Sequence, residues 1–345
     1  MNHQTNPNYP NLTTPEYNTM NTNVIKTHRC GVLLIDFSNC NPQGDPDQDN
    51  RPRTDPETQH GLITAAGPKR KMRDYLALAG HPIYISRGAC LEDINQDAAA
   101  SVGHGAVFDD AGEDEDEDVA EAAEAKHKTK SPKKAKKEKS TPESSKKIFG
   151  ALADKFIDFK LFGGTVPRLV GTGRGPFQFT MGMSVDIVSP QRMGITRVAV
   201  ATRAEADQQG GANRGMGGLW YLPYGLYRFH WYVSPHDAAR TGLSEKDYDL
   251  GLEAMTHMFD NDRSSTRASG CVQLAYEFTA TDKGALWGER LLRGVRVQRS
   301  PGVAVARSFD DYTVDIHPSI LQSPDLILRK IVDKLPATPE AVAAE

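Results

Sequence analysis

A short apolar run, followed at once by a long polar loop and then by a helix, most constrains how this chain folds. The run, residues 31–37, reads GVLLIDF and lacks the alternation of a half-exposed strand. Such a run is typical of a central strand whose two faces are both covered. Residues 39–67 are punctuated by proline and glycine and are too polar to form a core. We therefore expect local turns or a bound ligand to order this loop.

An amphipathic helix is predicted directly after the loop. Gly67-Pro68 places proline at the first helical position, where its missing N–H costs nothing. Apolar residues then recur with the spacing of a core-facing helical stripe. These residues are Met72, Tyr75, Leu76 and Ala79.

Cations crowd the predicted start of this helix, at Lys69, Arg70 and Arg73. The helix dipole prefers anions there, and the first turn also has free backbone N–H groups. A phosphate bound at this point would satisfy both the cations and those donors. The pattern therefore predicts an anion site, and a solvated basic face is the alternative.

The remaining patterns predict an α+β fold with an antiparallel sheet and helices on one face. A second helix is predicted from Ser244, which can form a capping box with Asp247. A projecting hairpin is predicted around residues 195–218, where an apolar stretch precedes a glycine-rich one. Further strands are predicted at 82–87, 157–162, 177–188, 219–233 and 271–278, with short ones near 295–297 and 312–316.

Composition predicts the boundaries of the folded part. Residues 1–28 and 336–345 have the composition of disordered tails, and residues 109–147 form an acidic and then lysine-rich insertion that we also expect to be disordered. The folded domain should therefore span residues 29–335 around that insertion. A formal charge of −4 gives no global basic signal, so nucleic-acid binding would have to be local.

Several functional classes are disfavoured. The four cysteines show no metal-ligand spacing, so a zinc site or disulfide framework is not expected. No apolar run is long enough to span a membrane, and we expect a cytoplasmic protein without a cofactor. Common catalytic motifs are absent.

The aspartates of the loop allow two interpretations. Asp45, Asp47, Asp49 and Asp55 could bind a divalent metal, although the spacing of a calcium-binding EF-hand loop fails. The same side chains commonly shape turns. A metal-dependent RNA endonuclease using residues 45–55 is therefore kept as the alternative to a non-catalytic protein.

Several short motifs follow one another along the chain: Asn41-Pro-Gln-Gly-Asp-Pro46, Pro52-Arg53-x-Asp55, Lys69-Arg-Lys-Met-Arg73, Arg174-Gly-Pro-Phe-Gln178, Ile195-Thr-Arg197, Pro223-Tyr-Gly-Leu-Tyr-Arg228 and Met258-Phe-Asp-x-Asp-Arg-Ser264. In this order they resemble the CRISPR-associated Cas7 family, most closely its type I-C branch (Csd-two type). The resemblance covers roughly residues 30–280 apart from the insertion. Gln43 stands where the family pattern usually has Asn, and Ala65-Ala66 replace a more polar pair.

The resemblance implies a modified RRM-like, ferredoxin-type domain shaped as a hand, with a projecting hairpin, or thumb. It implies a backbone subunit of type I-C Cascade that polymerises along crRNA and presents the guide to target DNA in antiviral defence. Cas5-type and Cas8-type subunits would be its other partners.

Because a guide varies in sequence, such a protein should contact the RNA backbone. The aromatic signature with which an ordinary RRM stacks bases is absent, in keeping with that expectation. The expected RNA-binding residues are Asn41, Gly44, Arg53, Lys69, Arg70, Arg73, Arg168, Arg174, Arg192 and Arg197.

Overall fold

The structure, a computed structural model, describes residues 23–108, 140–171, 173–200, 202–208, 215–264, 269–280 and 288–334. The strands in these residues are β1 Arg29–Cys40, β2 Gly44–Asp45, β3 Arg51–Pro52, β4 His60–Ile63, β5 Gly163–Gly164, β6 Gly173–Arg174, β7 Phe177–Phe179, β8 Gly182–Ile187, β9 Gln191–Arg197, β10 Gly215–Val233, β11 Gly270–Ala280, β12 Val295–Arg299, β13 Tyr312–Ile316 and β14 Leu326–Asp333. The helices are α1 Ala66–Leu78, α2 Leu91–Ser101, α3 Pro142–Lys155, α4 Ile157–Phe162, α5 Arg203–Gln208, α6 Pro235–Thr241, α7 Glu245–His257, α8 Gly288–Arg293 and α9 Pro318–Leu321.

The apolar run forms the central strand of the main sheet. That sheet has the order β14-β11-β1-β10-β8-β4, and β7 and β9 also pair with β10. Strand β1 pairs antiparallel with β10 on one side and with β11 on the other. Taken with α1 and α7, strands β1, β8, β10 and β11 follow the β-α-β-β-α-β connectivity of a ferredoxin-like unit. The predicted α+β fold with an antiparallel sheet is confirmed.

Both faces of β1 are covered, as predicted. Alternate side chains, Leu33 and Ile35 among them, pack in one cluster with residues of α1 and α7. The other set, including Val32 and Leu34, packs in a second cluster with α8, the β12–β13 hairpin and α9. The face that an RRM leaves open for bases therefore carries a protein layer here. Helices lie on both faces of the sheet, so the prediction of helices on one face only is wrong.

A third cluster contains helices that the sequence patterns missed. It joins α2, α3 and α4 around Tyr84 and Phe159. The strand predicted at 157–162 is wrong, because these residues form α4. A short apolar run does not by itself distinguish a strand from a buried helix, and Phe159, Leu161 and Phe162 are all buried. Residues 82–87 form no strand either.

The described part extends beyond two of the predicted boundaries. Ile25, assigned to the disordered tail, is buried at 1% exposure, and its N–H donates to the carbonyl of Leu243. Helix α3 begins inside the predicted insertion because Thr141 and Ser144 form a capping box. The other predicted disordered residues, 1–22, 109–139 and 336–345, lie outside the described residues.

The predicted hairpin is present. Strand β9 pairs antiparallel with the first residues of β10, from Arg197 opposite Gly215 to Gln191 opposite Tyr221. The side chains of residues 191–196 are exposed on both faces of the strand, so the hairpin stands out from the body. The strand predicted at 177–188 is divided into β7 and β8. Among the described helices, none has the length and apolar character needed to cross a bilayer.

Candidate nucleic-acid interface

Local hydrogen bonds order the polar loop after β1. Strands β2 and β3 pair across it, and Asn41 Nδ2 donates to the carbonyl of Asn50 at 2.8 Å. A Cβ at Gly44 would lie 2.7 Å from that carbonyl oxygen. Glycine at position 44 therefore lets the two sides of the loop approach each other.

Gln43 fastens the loop to the residue before α1. Its Nε2 donates to Thr64 Oγ1 at 2.9 Å, and the Thr64 N–H donates to its Oε1 at 2.8 Å. Both functional atoms of this amide are thus used within the protein. The position that departs from the family pattern has a structural role in this chain.

Three of the four loop carboxylates, those of Asp45, Asp49 and Asp55, have partners within the protein. Asp45 lies 3.3 Å from Arg53, and Asp49 lies 3.3 Å from Arg192 of β9. Asp55 accepts hydrogen bonds from its own turn, and these lower its pKa. Within the described ranges, no group of three or more Asp, Glu, His or Cys side chains could hold a metal ion. The arrangement matches the interpretation of these aspartates as turn-forming residues.

A groove of about 500 Å³, here called the α1 groove, lies between this loop, the start of α1 and the base of the hairpin. Its walls include Gly44, Gly67 and Gly218, where a Cβ atom would meet Asn50, Ile63 and Arg192 of the protein itself. Its lining residues are Asn41, Pro42, Gln43, Gly44, Asp49, Asn50, Ala66, Gly67, Arg70, Lys71, Asp74, Arg87, Gly218, Leu219 and Trp220.

Helix α1 begins earlier than predicted. Its first residue is Ala66, so Pro68 is the third helical residue rather than the first, and Lys69 and Arg70 follow it. The first turn contains no acidic residue, and Ala65 provides no side-chain cap. The cations therefore lie just beyond the first turn. Because the effect of the helix dipole fades within one turn, their conflict with the dipole is smaller than the sequence predicts.

The cations of α1 have different partners. Arg70 faces the α1 groove and pairs with Asp74 at 2.9 Å, with both side chains about one-third exposed. Arg73 is buried, and its Nε lies 2.7 Å from the fully buried carboxylate of Asp158. Lys71 pairs with Asp262. Arg73 thus joins α1 to α4 inside the protein and does not face the groove.

Lys69 points to the other side of α1. Its Nζ donates to Gln178 Oε1 at 2.6 Å and lies 5.5 Å from the ring centre of Phe162. Burial, followed by the charges of Arg73 and Arg174, lowers the pKa of Lys69 to about 8. No carboxylate contributes to that shift. This amine is a partly buried cation without a counterion.

Trp220 connects the hairpin to the loop. The guanidinium of Arg51 lies 5.5 Å from its ring centre and that of Arg192 lies 6.0 Å away, both within the range of cation–π attraction. The indole Nε1 and Arg51 Nε are buried and have no hydrogen-bond partner. Sequence reasoning missed both Trp220 and Arg51.

The remaining predicted residues are spread over the molecule. Arg168 donates to the carbonyl of Phe108, away from the α1 groove. Arg174 is 64% exposed and lies 3.6 Å from Asp237. Arg197 belongs to β9, and its side chain lies outside the described part. The structure therefore brings Asn41, Gly44 and Arg70 together at the α1 groove, with Arg53 and Arg192 in ion pairs to aspartates of the loop.

Arg87 is a further cation of the groove that the sequence did not indicate. It is exposed and lines the α1 groove, and the described residues give it no carboxylate partner. Arg51 and Lys69 share that property. Three basic side chains thus lack a carboxylate partner among the described residues: Arg87 in the α1 groove, Arg51 on the ring of Trp220, and Lys69 on the other side of α1.

Comparison with known proteins places the chain in a family. A curated relative, the CRISPR-associated protein Cas7 of Haloferax volcanii, is 28% identical over 223 residues, which are 63% of this chain and 60% of that relative. The match thus spans less than two-thirds of the relative's length.

Similar solved structures include a CRISPR RNA-guided surveillance complex, pre-nicking, at TM-score 0.46 and 15% identity, covering 75% of this chain and 80% of that one. Another, a CRISPR RNA-guided surveillance complex, has a TM-score of 0.40 at 12% identity and covers 75% of this chain and 72% of that one. The sequence model of the family described as CRISPR-associated protein Cas7 matches residues 27–317, most of the chain. This chain is a member of the Cas7 family.

Proposed function

We propose that the chain is a non-catalytic, guide-RNA-binding backbone subunit of a type I-C CRISPR surveillance complex. Membership of the Cas7 family supports the assignment to a CRISPR effector. The motif pattern supports the narrower type I-C assignment. In this role, copies of the chain follow one another along crRNA and hold the guide for pairing with target DNA.

One observation carries the RNA-binding proposal. Arg87 lines the α1 groove, Arg51 lies against Trp220 in the wall of that groove, and Lys69 lies on the other side of α1; none of the three has a carboxylate partner among the described residues. Phosphate oxygens of an RNA strand that passes over the start of α1 would supply the missing negative charge. Such contacts carry no base sequence, as a variable guide requires.

The covered sheet supports the same mode of binding. The face opposite α1 and α7 packs against α8, the β12–β13 hairpin and α9, so bases cannot stack on it as on an ordinary RRM. The proposed path of the RNA therefore runs over the start of α1. Arg73 is left out of the proposed contacts, because its guanidinium is paired with Asp158 in the interior.

We assign the projecting β9–β10 hairpin to contacts with the guide or with a neighbouring subunit. Its exposed strand carries Arg192 and apolar side chains such as Met193 and Ile195. Further copies and Cas5-type and Cas8-type subunits are the proposed partners, and the cytoplasm is the proposed location.

The competing function is a metal-dependent RNA endonuclease at residues 45–55. A metal site needs several carboxylates free to converge on one ion. Asp45 and Asp49 are instead paired with arginines, and Asp55 accepts hydrogen bonds from its own turn. This arrangement favours the non-catalytic proposal.

The test compares two triple variants of the full chain. Arg51→Gln, Lys69→Gln and Arg87→Gln together remove the three cations that have no carboxylate partner among the described residues. Lys246→Gln, Arg296→Gln and Arg307→Gln remove the same charge from exposed side chains elsewhere. RNA that co-purifies with the chain, expressed with its complex partners and a CRISPR array, is then quantified.

We expect the first variant to lose most of its RNA and the control to keep it. Equal RNA retention by both variants would overturn the proposal. Circular dichroism of each purified variant separates a loss of binding from a loss of fold.

A further inference from the structure

The hydrogen bonds around Lys69 leave its charge unbalanced. Gln178 Nε2 donates to the carbonyls of Phe162 and Gly175, at 3.0 and 2.8 Å. These two bonds fix the orientation of the amide, so that its Oε1 accepts from Lys69 Nζ. The amine is thus held by one neutral acceptor and the face of an aromatic ring.

The charged groups that act on this amine have the same sign as it does. Arg73 reaches it from α1 and Arg174 from β6, while α4 and β7 contribute the ring of Phe162 and the amide of Gln178. The nearby carboxylates pair with the two arginines rather than with Lys69: Asp158 pairs with Arg73, and Asp237 lies 3.6 Å from Arg174. An anion is the missing component of this cluster.

A second groove, here called the glycine-rich groove, lies next to the cluster. Its volume is about 330 Å³, and it is lined by residues 162–166, 171, 173, 174 and 178. Gln178 therefore contacts Lys69 and also forms part of the groove wall. Gly163, Gly164 and Gly173 lack Cβ atoms that would clash with the paired strand or with Tyr84, so β5 and β6 pack closely in the groove wall. Arg174, which is 64% exposed, also lines the groove. The groove therefore has Arg174 in its wall and Lys69 behind Gln178, and cations of this kind bind phosphate oxygens.

We propose that the glycine-rich groove is a second phosphate site for the same RNA strand, that a phosphate bound there holds Lys69 in its protonated form, and that binding at alkaline pH therefore takes up a proton at Lys69. The proposal rests on the proposed function, because the ligand is the RNA backbone. The proton comes from solvent, the phosphate supplies the counter-charge, and Nζ donates to a phosphate oxygen. RNA affinity then decreases as pH rises through the pKa of the free amine.

The size of the effect follows from the pKa of Lys69, lowered to about 8 by burial and its cationic neighbours. The protonated fraction of such an amine falls about tenfold between pH 7 and pH 9. If the neutral amine does not hold phosphate, Kd for RNA rises about tenfold over the same range. Arginine in this position stays charged throughout, so Lys69→Arg removes the pH dependence.

The experiment measures fluorescence anisotropy of a labelled single-stranded RNA made only of A and C, whose bases do not titrate between pH 7 and pH 9. The full chain, Lys69→Arg and Arg87→Gln are compared at pH 7, 8 and 9 and constant ionic strength. We expect a tenfold rise in Kd for the unchanged chain and a flat profile for Lys69→Arg. Arg87→Gln should bind more weakly and keep the tenfold rise.

The possible failures are distinguishable. A flat profile for the unchanged chain, or a tenfold rise that persists in Lys69→Arg, would overturn proton uptake at Lys69 and leave RNA binding intact. No RNA binding at any pH would instead count against the proposed function. If Lys69→Arg does not fold, Lys69→Met is used: weaker binding with a flat profile supports the proposal, and a retained rise refutes it.

Discussion

Replacing Arg73 by methionine tests whether this cation has a structural role rather than an RNA-binding one. Asp158 is fully buried and accepts from Arg73 Nε at 2.7 Å and from the N–H groups of Tyr84 and Ile85 at 2.7 and 3.2 Å. Removing one partner of a buried ion pair typically costs about 3–5 kcal/mol, because the other charge is left uncompensated. The two backbone donors remain, so we expect a loss of about 3 kcal/mol in the free energy of unfolding.

The matched control is Arg70→Met, three residues earlier on the same helix. Arg70 and Asp74 form an i,i+4 pair in which each side chain is about one-third exposed. Pairs of this kind contribute less than about 0.5 kcal/mol. Urea unfolding followed by tryptophan fluorescence gives both values.

The two variants should also differ in RNA binding. Arg73→Met should keep its RNA affinity within about twofold of the unchanged chain under conditions where it is folded. Adding Asp158→Asn to Arg73→Met should recover part of the lost stability, because it removes the uncompensated charge. A structural role of Arg73 is refuted if Arg73→Met is no less stable than Arg70→Met. It is also refuted if Arg73→Met loses RNA affinity while its stability is unchanged.

Three further perturbations follow from the same contacts. Gly44→Ala should lower the free energy of unfolding in urea by about 1–3 kcal/mol and weaken RNA binding, because a Cβ would lie 2.7 Å from the Asn50 carbonyl oxygen. The control is Gly150→Ala, since a Cβ at position 150 would meet open space. Equal effects of the two substitutions would contradict the steric explanation. Burial and the charge of Arg228 lower the pKa of His230 to about 4 in the folded chain. His230 of the unfolded chain has the ordinary pKa of about 6.5 and is protonated first as the pH falls. The free energy of unfolding therefore decreases as the pH drops from about 6.5 towards 4. Because the His230 side chain is partly exposed, we expect it to account for about 1 kcal/mol of the decrease in the free energy of unfolding between pH 7 and pH 5. His230→Gln should remove that part of the decrease. An unchanged decrease would show that His230 is not the titrating group. Mg²⁺ or Mn²⁺ should produce no cleavage of labelled RNA, whereas cleavage that disappears in Asp45→Ala or Asp49→Ala would support the endonuclease.

Local signals predicted the elements that depend on nearby residues. Strand β1 followed from one apolar run, and α7 began where Ser244 and Asp247 formed the expected capping box. The same kind of signal failed at residues 157–162. That apolar run is buried in a helix against α2 and α3, and α2 had shown no clear pattern of its own. Tertiary packing decided between helix and strand there.

The partners of the site residues could not be predicted from local sequence. Arg73 meets Asp158, 85 positions away, and only the packing of α4 against α1 brings them together. Arg87 and Trp220 reach the α1 groove because different parts of the chain return to it. The sequence therefore indicated the region of the candidate site. The fold was needed to show which of its cations pair with carboxylates and which do not.

The salt dependence of RNA binding shows how many of the side chains Arg51, Lys69 and Arg87 bind phosphate groups. Each phosphate contact to single-stranded nucleic acid contributes about −0.7 to the slope of log K against log salt concentration. Removing Arg51, Lys69 and Arg87 together should therefore make the slope shallower by about 2, whereas the Lys246, Arg296 and Arg307 control should leave it unchanged. Equal slopes for the unchanged chain and the first triple variant would contradict the account.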